Sequence, residues 1–201
     1  MKLKAMLNVI PVFAIVGLLG SFAYQHWQET QATQLDYDNP DAVMESMQST
    51  RHLPQSERWQ VERVSDGDTL TVRSRGREQT LRLCGIDAPE KQQALGKEAT
   101  EKLRSLVGSA GNEIIVVPIE KDRFGRTVAE IFVKKSSQEE IFVNGEMVRV
   151  GMAYHYQRYS ERCVNRDAID TAESIAKGKR VGVWRDRDAV KPWEWRRQQR
   201  T

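Results

Sequence analysis

Residues 59–84 read WQVERVSDGDTLTVRSRGREQTLRLC, a stretch with the pattern of consecutive β-strands. Its apolar residues recur with the two-residue period of strands, in three runs that begin at Trp59, Thr69 and Gln79. The RGR sequence at 75–77 between the second and third runs is typical of a hairpin turn. The stretch therefore predicts a meander of three antiparallel strands.

Beyond the meander, helical and strand patterns are mixed. Helical spacing of apolar residues, each time followed by a glycine, predicts helices over 97–107, 144–150 and 166–177. Strand patterns return at 113–118 and 127–133. This order indicates an α+β domain, and a five-stranded barrel is one arrangement that leaves no long unpaired edge.

Composition limits the class of protein. The 201 residues are 39% hydrophobic and 29% charged, which is typical of one globular domain with additional segments. Multispan membrane proteins, collagens, coiled coils and disulfide-dense scaffolds are excluded. The two cysteines cannot form a four-cysteine zinc site, and His26, His52 and His155 lack the spacing of a catalytic zinc site.

The first 24 residues are typical of a membrane-targeting segment. Two lysines precede a nearly continuous apolar stretch from Ala5 to Tyr24. Its length favours a transmembrane anchor, whereas the small residues at Ser21 and Ala23 favour a cleaved signal peptide. We expect the rest of the chain to be extracytoplasmic in both cases, either membrane-anchored or secreted.

The rest of the chain consists of an acidic part followed by a basic part. Residues 25–56 carry a net charge of −4 and form a predicted acidic, flexible linker, while residues 57–201 carry +5. We place the folded domain at 57–185 and a basic tail at 186–201. A basic domain suits an anionic partner such as nucleic acid, although a solvated charged surface has the same composition.

Three short polar segments follow or precede strands. They are DGDT at 66–69, RLCGIDAPE at 82–90 and DRFGR at 122–126. Each alone is typical of an exposed turn. The first two flank a two-strand unit, so their carboxylates can converge at one edge of a barrel.

These segments, with VNGEMVRVGMAY at 143–154 and RVGVW at 180–184, resemble the staphylococcal nuclease (thermonuclease) family from about Trp59 to Trp184. The resemblance implies an OB-type five-stranded β-barrel with three helices. It also implies Ca²⁺-dependent hydrolysis of DNA and RNA, with little sequence preference and 3′-phosphate products. The alternatives are a non-catalytic nucleic-acid-binding OB module and a tethered interaction domain; no protein partner is inferred.

By position, the resemblance makes Asp68 and Asp87 carboxylate ligands of Ca²⁺, a metal that prefers oxygen donors. Ala88 stands where the family usually has threonine and would contribute its backbone carbonyl, without the hydroxyl contact. Asp66 would lie beside the metal without binding it directly.

The resemblance also implies catalytic and substrate-binding roles. Glu90 matches the carboxylate proposed as general base, and Arg82 and Arg126 match the guanidinium groups that bind the scissile phosphate. Tyr154 and Tyr156 resemble tyrosines of the nucleotide pocket, and the alternative is that both rings pack on the barrel.

Two further features stay open at this point. Cys84 and Cys163 can form a disulfide that attaches the loop after the tyrosines to the barrel, or remain two buried thiols. The family's lysine-rich loop after the third strand is reduced to residues 91–93, which leaves the detail of substrate contacts undetermined.

Overall fold

The computed structural model describes residues 56–200, which form a β-barrel with helices packed around it. The strands, in chain order, are β1 (Glu57–Val64), β2 (Thr69–Ser74), β3 (Arg77–Leu83), β4 (Ile86–Asp87), β5 (Glu113–Lys121), β6 (Thr127–Lys134), β7 (Glu140–Phe142) and β8 (Tyr154–His155). The helices are α1 (Gly96–Gly108), α2 (Val143–Arg149), α3 (Arg166–Lys179) and α4 (Pro192–Gln198).

Five strands close the barrel in the order β3-β2-β1-β5-β6. Neighbours are antiparallel except β3 and β6, whose parallel pairing joins the two ends of the sheet. Strand β7 extends the sheet beyond β6, and the short strands β4 and β8 pair separately. Closure gives hydrogen-bond partners to the backbone N–H and C=O groups that would be unpaired at the edges of an open sheet.

The predicted five-stranded barrel is therefore confirmed, and the three predicted helices are present. The structure adds α4 within the segment interpreted as a basic tail. It also adds β4 and β8, which have two residues each and so carry no readable period. The predicted signal or transmembrane helix at 1–24 lies outside the described residues. Within residues 56–200, no helix has the length and apolarity needed to cross a membrane.

The barrel interior is apolar because alternate strand residues face it. Leu70, Leu81 and Ile131 are completely buried, and α1 contributes the buried Leu103. Burying one such side chain contributes about 1.5–3 kcal/mol to folding. The interior is thus filled by side chains, and any site must lie at a barrel edge.

A buried asparagine and a close approach of two glycines hold the segments around α2 and after α3 in place. The buried Asn144 of α2 accepts the Ile131 N–H at 3.1 Å and donates to the Cys84 carbonyl at 3.0 Å. Gly151 and Gly182 meet closely: a Cβ on Gly182 would lie 2.0 Å from the Gly151 carbonyl oxygen. These contacts give a physical reason for the asparagine and the glycines in the VNGEMVRVGMAY and RVGVW segments.

Cys84 and Cys163 are joined by a disulfide, with a Cα–Cα distance of 5.9 Å. The bond links the end of the barrel strand β3 to the loop that precedes α3. That loop follows the tyrosine segment, so the crosslink holds β8 and its neighbours near the barrel.

Candidate functional site

The guanidinium of Arg82 holds two carboxylates that are distant in sequence. Its Nη1 lies 2.8 Å from Oδ1 of Asp68, and its Nη2 donates to Oδ1 of Asp87 at 2.9 Å. Only 15% of the Arg82 side chain is exposed, and none of the Asp87 side chain is. The two acidic turns therefore meet at one arginine near the end of β3.

The register of the β2–β3 hairpin causes this meeting. Thr69 pairs with Arg82, so Asp68 stands just before the strand residue opposite the arginine. Gly85, with a φ of +72°, turns the chain from β3 into β4, where Asp87 is the second residue. A left-handed backbone favours glycine at such a turn.

Backbone donors fix the acidic loop. The Ala88 N–H donates to Oδ2 of Asp68 at 2.7 Å, and the Asp68 N–H donates to Oδ1 of Asp66 at 3.1 Å. The Thr69 hydroxyl also donates to Oδ1 of Asp68 at 3.0 Å. Asp66, Asp68, Asp87 and Ala88 thus form one connected cluster.

Burial disfavours the ionised form of two carboxylates in this cluster, Asp66 and Asp87. Burial, followed by repulsion from Asp68, raises the pKa of Asp66 to about 6. Burial also raises the pKa of Asp87, against the lowering effect of its arginine neighbours. Desolvation and like charges both disfavour the ionised form. A bound cation would relieve both effects.

Arg196 of α4 is a second arginine at the site. Its Nη2 donates to Oδ2 of Asp87 at 2.7 Å, and its Nη1 donates to Oδ1 of Asp87 at 3.1 Å. The same Nη1 donates to Oε1 of Glu90 at 2.7 Å. Arg196 therefore binds Asp87 through both carboxylate oxygens and connects it to Glu90.

Glu90 is more exposed than Asp68 and Asp87: 30% of its side chain is accessible, against 9% and 0% for theirs. Its N–H donates to Oε1 of Gln93 at 2.9 Å, which fixes the short loop between β4 and α1. Gly96 at the start of α1 packs on the Glu90 backbone, where a Cβ would lie 2.0 Å from the carbonyl oxygen. The position of Glu90 thus depends on α1.

Arg126 lies in the turn between β5 and β6. Its Nε donates to Oδ2 of Asp122 at 2.7 Å, and its N–H donates to Oδ1 of Asp122 at 3.0 Å. The following residue, Thr127, pairs with Leu81 of β3, the neighbour of Arg82. The turn is adjacent to the arginine of the carboxylate cluster, while Arg126 itself is held by Asp122.

The structure separates the two tyrosines. Tyr154 pairs with Asp87 across β8 and β4 but is 97% buried, with its ring edge against Trp184 at a centroid distance of 5.1 Å. The Tyr156 ring is stacked on Trp193, with centroids 4.8 Å apart and planes 3° apart. Tyr154 is thus buried against its aromatic neighbour, and Tyr156 is the more exposed of the two rings.

A serine, a histidine and an aspartate also form a row near β8. His155 Nε2 lies 2.9 Å from the Ser160 hydroxyl, and its Nδ1 lies 3.3 Å from Oδ1 of Asp170. Ser160 is completely buried, so no substrate can reach its hydroxyl. The row connects β8 to α3 and is not a nucleophilic site.

The oxygen donors fit a hard divalent cation such as Ca²⁺. Asp68 and Asp87 offer carboxylates, and Ala88 lies between Asp87 and Glu90 with a backbone carbonyl. Within residues 56–200, no group of three or more His, Cys, Asp or Glu side chains has the arrangement of a complete metal site. Backbone, solvent or substrate oxygens would have to complete the coordination shell.

The sequence interpretation missed Gln93, Trp193 and Arg196 as site residues. Their signal was weak: Pro192 marks a helix start, and two tryptophans interrupt an otherwise basic tail. Nothing in the spacing relates Arg196 to Asp87, more than a hundred residues earlier. Only the folded chain brings α4 to the carboxylates.

The chain matches a known protein family over the segment that contains most of these residues. The family described as staphylococcal nuclease homologue matches residues 80–186, which is more than half of the chain. The chain belongs to the staphylococcal nuclease homologue family. The predicted resemblance is confirmed, and the match includes Arg82, Asp87, Glu90 and Arg126 but ends before α4.

Individual proteins are also similar to this chain. The chain is 38% identical over 145 residues to the protein ParB of Escherichia coli, which covers 70% of this chain and 80% of that protein. It is 36% identical over 145 residues, with the same two coverages, to the micrococcal nuclease of Shigella flexneri. It is 38% identical over 141 residues to an uncharacterized endonuclease of Haemophilus influenzae, covering 70% of this chain and 73% of that protein.

Proposed function

We propose that this protein is a nuclease that hydrolyses phosphodiester bonds of DNA and RNA with little sequence preference, uses Ca²⁺ and leaves 3′-phosphate ends. The observation that carries this proposal is the meeting of Asp68 and Asp87 at the Arg82 guanidinium, with Glu90 connected to Asp87 through Arg196, in a chain of this family. A binding module alone would not need carboxylates buried at the place where a polyanion must approach.

The buried carboxylates and the more exposed carboxylate have different roles in this proposal. Asp68 and Asp87, with the Ala88 carbonyl, would hold Ca²⁺, which supplies positive charge to a phosphate oxygen. Glu90 is accessible to water, and only its Oε1 is bound by Arg196. It is therefore the residue that can take a proton from the attacking water.

The arginines bind the phosphate. Arg82 has a planar fork of donors, and a guanidinium stabilises the negative charge that grows on the phosphate oxygens. Asp122 orients Arg126 beside β3, from where its terminal nitrogens would face the same phosphate. The water oxygen forms a bond to phosphorus, the bond to the 5′ oxygen breaks, and solvent protonates the leaving oxygen.

The test is cleavage of single-stranded DNA and RNA by the full-length protein, with Ca²⁺ or with a chelator. We expect products that shift on phosphatase treatment, as 3′-phosphates do. Glu90→Gln and Arg82→Ala should each lower the cleavage rate by about a hundredfold or more.

The matched controls are Glu101→Gln and Arg104→Ala, which change an exposed ion pair on α1. Both should cleave like the wild type. Equal cleavage with chelator would contradict the role of Ca²⁺. Tight binding of nucleic acid without any cleavage would favour the binding-module alternative.

We also propose that the domain works outside the cytoplasm, anchored through residues 1–24 or released after their cleavage. Two features support this: the lysine-led apolar segment and the Cys84–Cys163 disulfide, a bond typical of oxidising compartments. Cell fractionation with thiol labelling tests it. Recovery of the protein in the cytoplasm with two free thiols would contradict it.

A further inference from the structure

A groove lies between the tyrosine segment, α3 and α4. Its volume is about 360 Å³, within the usual range of roughly 300–1,000 Å³ for ligand sites. Its charged and aromatic lining includes Tyr156, Arg158, Lys177, Lys191, Trp193 and Arg197. We propose that this groove binds the nucleotides flanking the scissile bond of a single-stranded polynucleotide, with Trp193 as stacking platform and Lys191 and Arg197 as phosphate ligands.

The proposal rests on the proposed function and goes beyond what family membership supplies. The family match ends at residue 186, whereas α4 begins at Pro192. The groove therefore belongs in part to a segment that the family match does not reach.

Charge favours an anionic occupant. Four cations line the groove, and the one carboxylate among its lining residues is Glu173. That carboxylate is already engaged, because Oε1 accepts the His155 N–H at 3.0 Å and Oε2 accepts from Lys177 Nζ at 2.7 Å. An excess of positive charge in a concave site attracts phosphates.

The aromatic rings favour an occupant that carries bases. Tyr156 and Trp193 form a parallel two-ring stack, and Lys191 Nζ lies 5.3 Å from the Trp193 ring centroid. A base can extend such a stack, and stacking on an aromatic side chain contributes without regard to sequence. The flexible Lys191 side chain would then be near the phosphate of the stacked nucleotide.

The groove lies beside the carboxylate cluster, because Tyr154 of its lining pairs with Asp87 across β8 and β4. The Tyr156 N–H donates to the Gly85 carbonyl at 2.7 Å, two residues before Asp87. Burial, followed by the nearby Asp87 charge, raises the pKa of Tyr156. In our proposal, a strand whose phosphate lies at Arg82 has its neighbouring nucleotides at Tyr156 and Trp193.

Helix α4 is held in place at both ends. Gln93 Nε2 donates to the Val190 carbonyl at 2.9 Å just before the helix, and Arg196 binds Asp87 and Glu90 near its end. The groove is thus formed before any ligand arrives, so little free energy is lost in ordering it.

The experiment measures binding of labelled oligothymidylates to the full-length protein by fluorescence anisotropy, with chelator present to prevent cleavage. The probes are a dinucleotide and an octanucleotide. We expect Trp193→Ala to weaken octanucleotide binding about tenfold. Lys191→Gln with Arg197→Gln should reduce the slope of log affinity against log salt by about one to two.

The controls are Trp195→Ala, an indole on α4 outside the groove lining, and Arg200→Gln, an exposed cation beyond the helix. Both should bind the octanucleotide like the wild type. Trp193→Phe should retain most of the affinity, which separates stacking from a general disturbance of α4.

Four results would contradict the proposed groove or the proposed function. Octanucleotide affinity equal to that of the wild type in both groove variants would overturn the groove while leaving the nuclease intact. Equal binding of polyphosphate and oligothymidylate, insensitive to Trp193→Ala, would reduce the groove to a charged patch and overturn it. Faster cleavage after removal of residues 190–201 would mean that α4 obstructs the substrate. No binding or cleavage by the wild type would contradict the proposed function itself.

Discussion

At the scale of single residues, Arg196 and a divalent cation would compete for the same oxygens of Asp87. Arg196 occupies both of them, at 2.7 Å and 3.1 Å. We predict that Arg196→Gln tightens Ca²⁺ binding by about tenfold, because a nearby like charge is removed. Titration calorimetry without nucleic acid measures this.

The matched variants are Arg196→Lys, which keeps the positive charge, and Arg200→Gln, which removes a charge outside the site. Both should bind Ca²⁺ with nearly the affinity of the wild type. The same affinity in Arg196→Gln would show that Asp87 is not a ligand of the cation.

His155 makes the stability of the fold depend on pH. Burial lowers its pKa, against the raising effect of Glu173 and Asp170, while Arg166 adds to the lowering. The folded state therefore binds fewer protons than the unfolded state, whose histidine has a pKa of about 6.5. Stability contributed by neutral His155 is present at about pH 7 and is lost as the pH falls below that value.

We predict that the free energy of unfolding of the wild type decreases from about pH 7 to about pH 5 more steeply than that of His155→Gln. Urea denaturation at several pH values, with the disulfide intact, measures the difference. Parallel curves for the two proteins would show that the pKa of His155 is the same in the folded and unfolded states, and would contradict the prediction.

At the scale of elements, α1 positions the loop that carries Glu90 through a glycine contact. A Cβ on Gly96 would lie 2.0 Å from the Glu90 carbonyl oxygen and 2.7 Å from its carbonyl carbon. We predict that Gly96→Ala destabilises the protein by about 1–3 kcal/mol and lowers cleavage by up to about a hundredfold. Chemical denaturation and a cleavage assay measure the two effects.

Gly108→Ala, at the other end of the same helix, is the control. Its nearest neighbour to an added Cβ is Asn112 Oδ1, at 3.9 Å. Alanine should therefore be neutral or stabilise α1 by up to about 1 kcal/mol. If both glycine variants lose activity equally, the effect comes from the helix and not from the contact with Glu90.

Some strands and helices could be predicted from the sequence, and others could not. Strands β1 and β3 were predictable because buried residues alternate with more exposed ones along them, and β2 because its apolar and β-branched residues favour a strand. Strand β4 has only two residues, yet it carries Asp87 beneath Arg82. Helix α4 has seven residues without a sustained apolar stripe, so its place beside Glu90 depends on tertiary contacts.

At the scale of the whole molecule, one crosslink connects the barrel to the segment before α3. Cys84 and Cys163 are 79 residues apart, and closing a loop of this length restricts the unfolded chain. We predict that Cys84→Ala with Cys163→Ala lowers the free energy of unfolding by up to about 4 kcal/mol. Denaturant unfolding measures the loss.

Reductant provides the control for this prediction. It should lower the Tm of the wild type towards that of the double variant and leave the double variant unchanged. A wild type whose Tm does not respond to reductant under denaturing conditions would contradict a stabilising role for the bond.

From the residue patterns we could predict an α+β domain with three main helices. The family resemblance added the five-stranded barrel and the candidate residues Asp68, Arg82, Asp87 and Glu90. These predictions were possible because strand and helix periods and turn residues are local patterns, which can be recognised along the chain. The tertiary structure alone decided that Arg196 and Trp193 join the site and that Tyr154 is buried. Those contacts connect residues far apart in sequence, and no local pattern records which distant surfaces pack together.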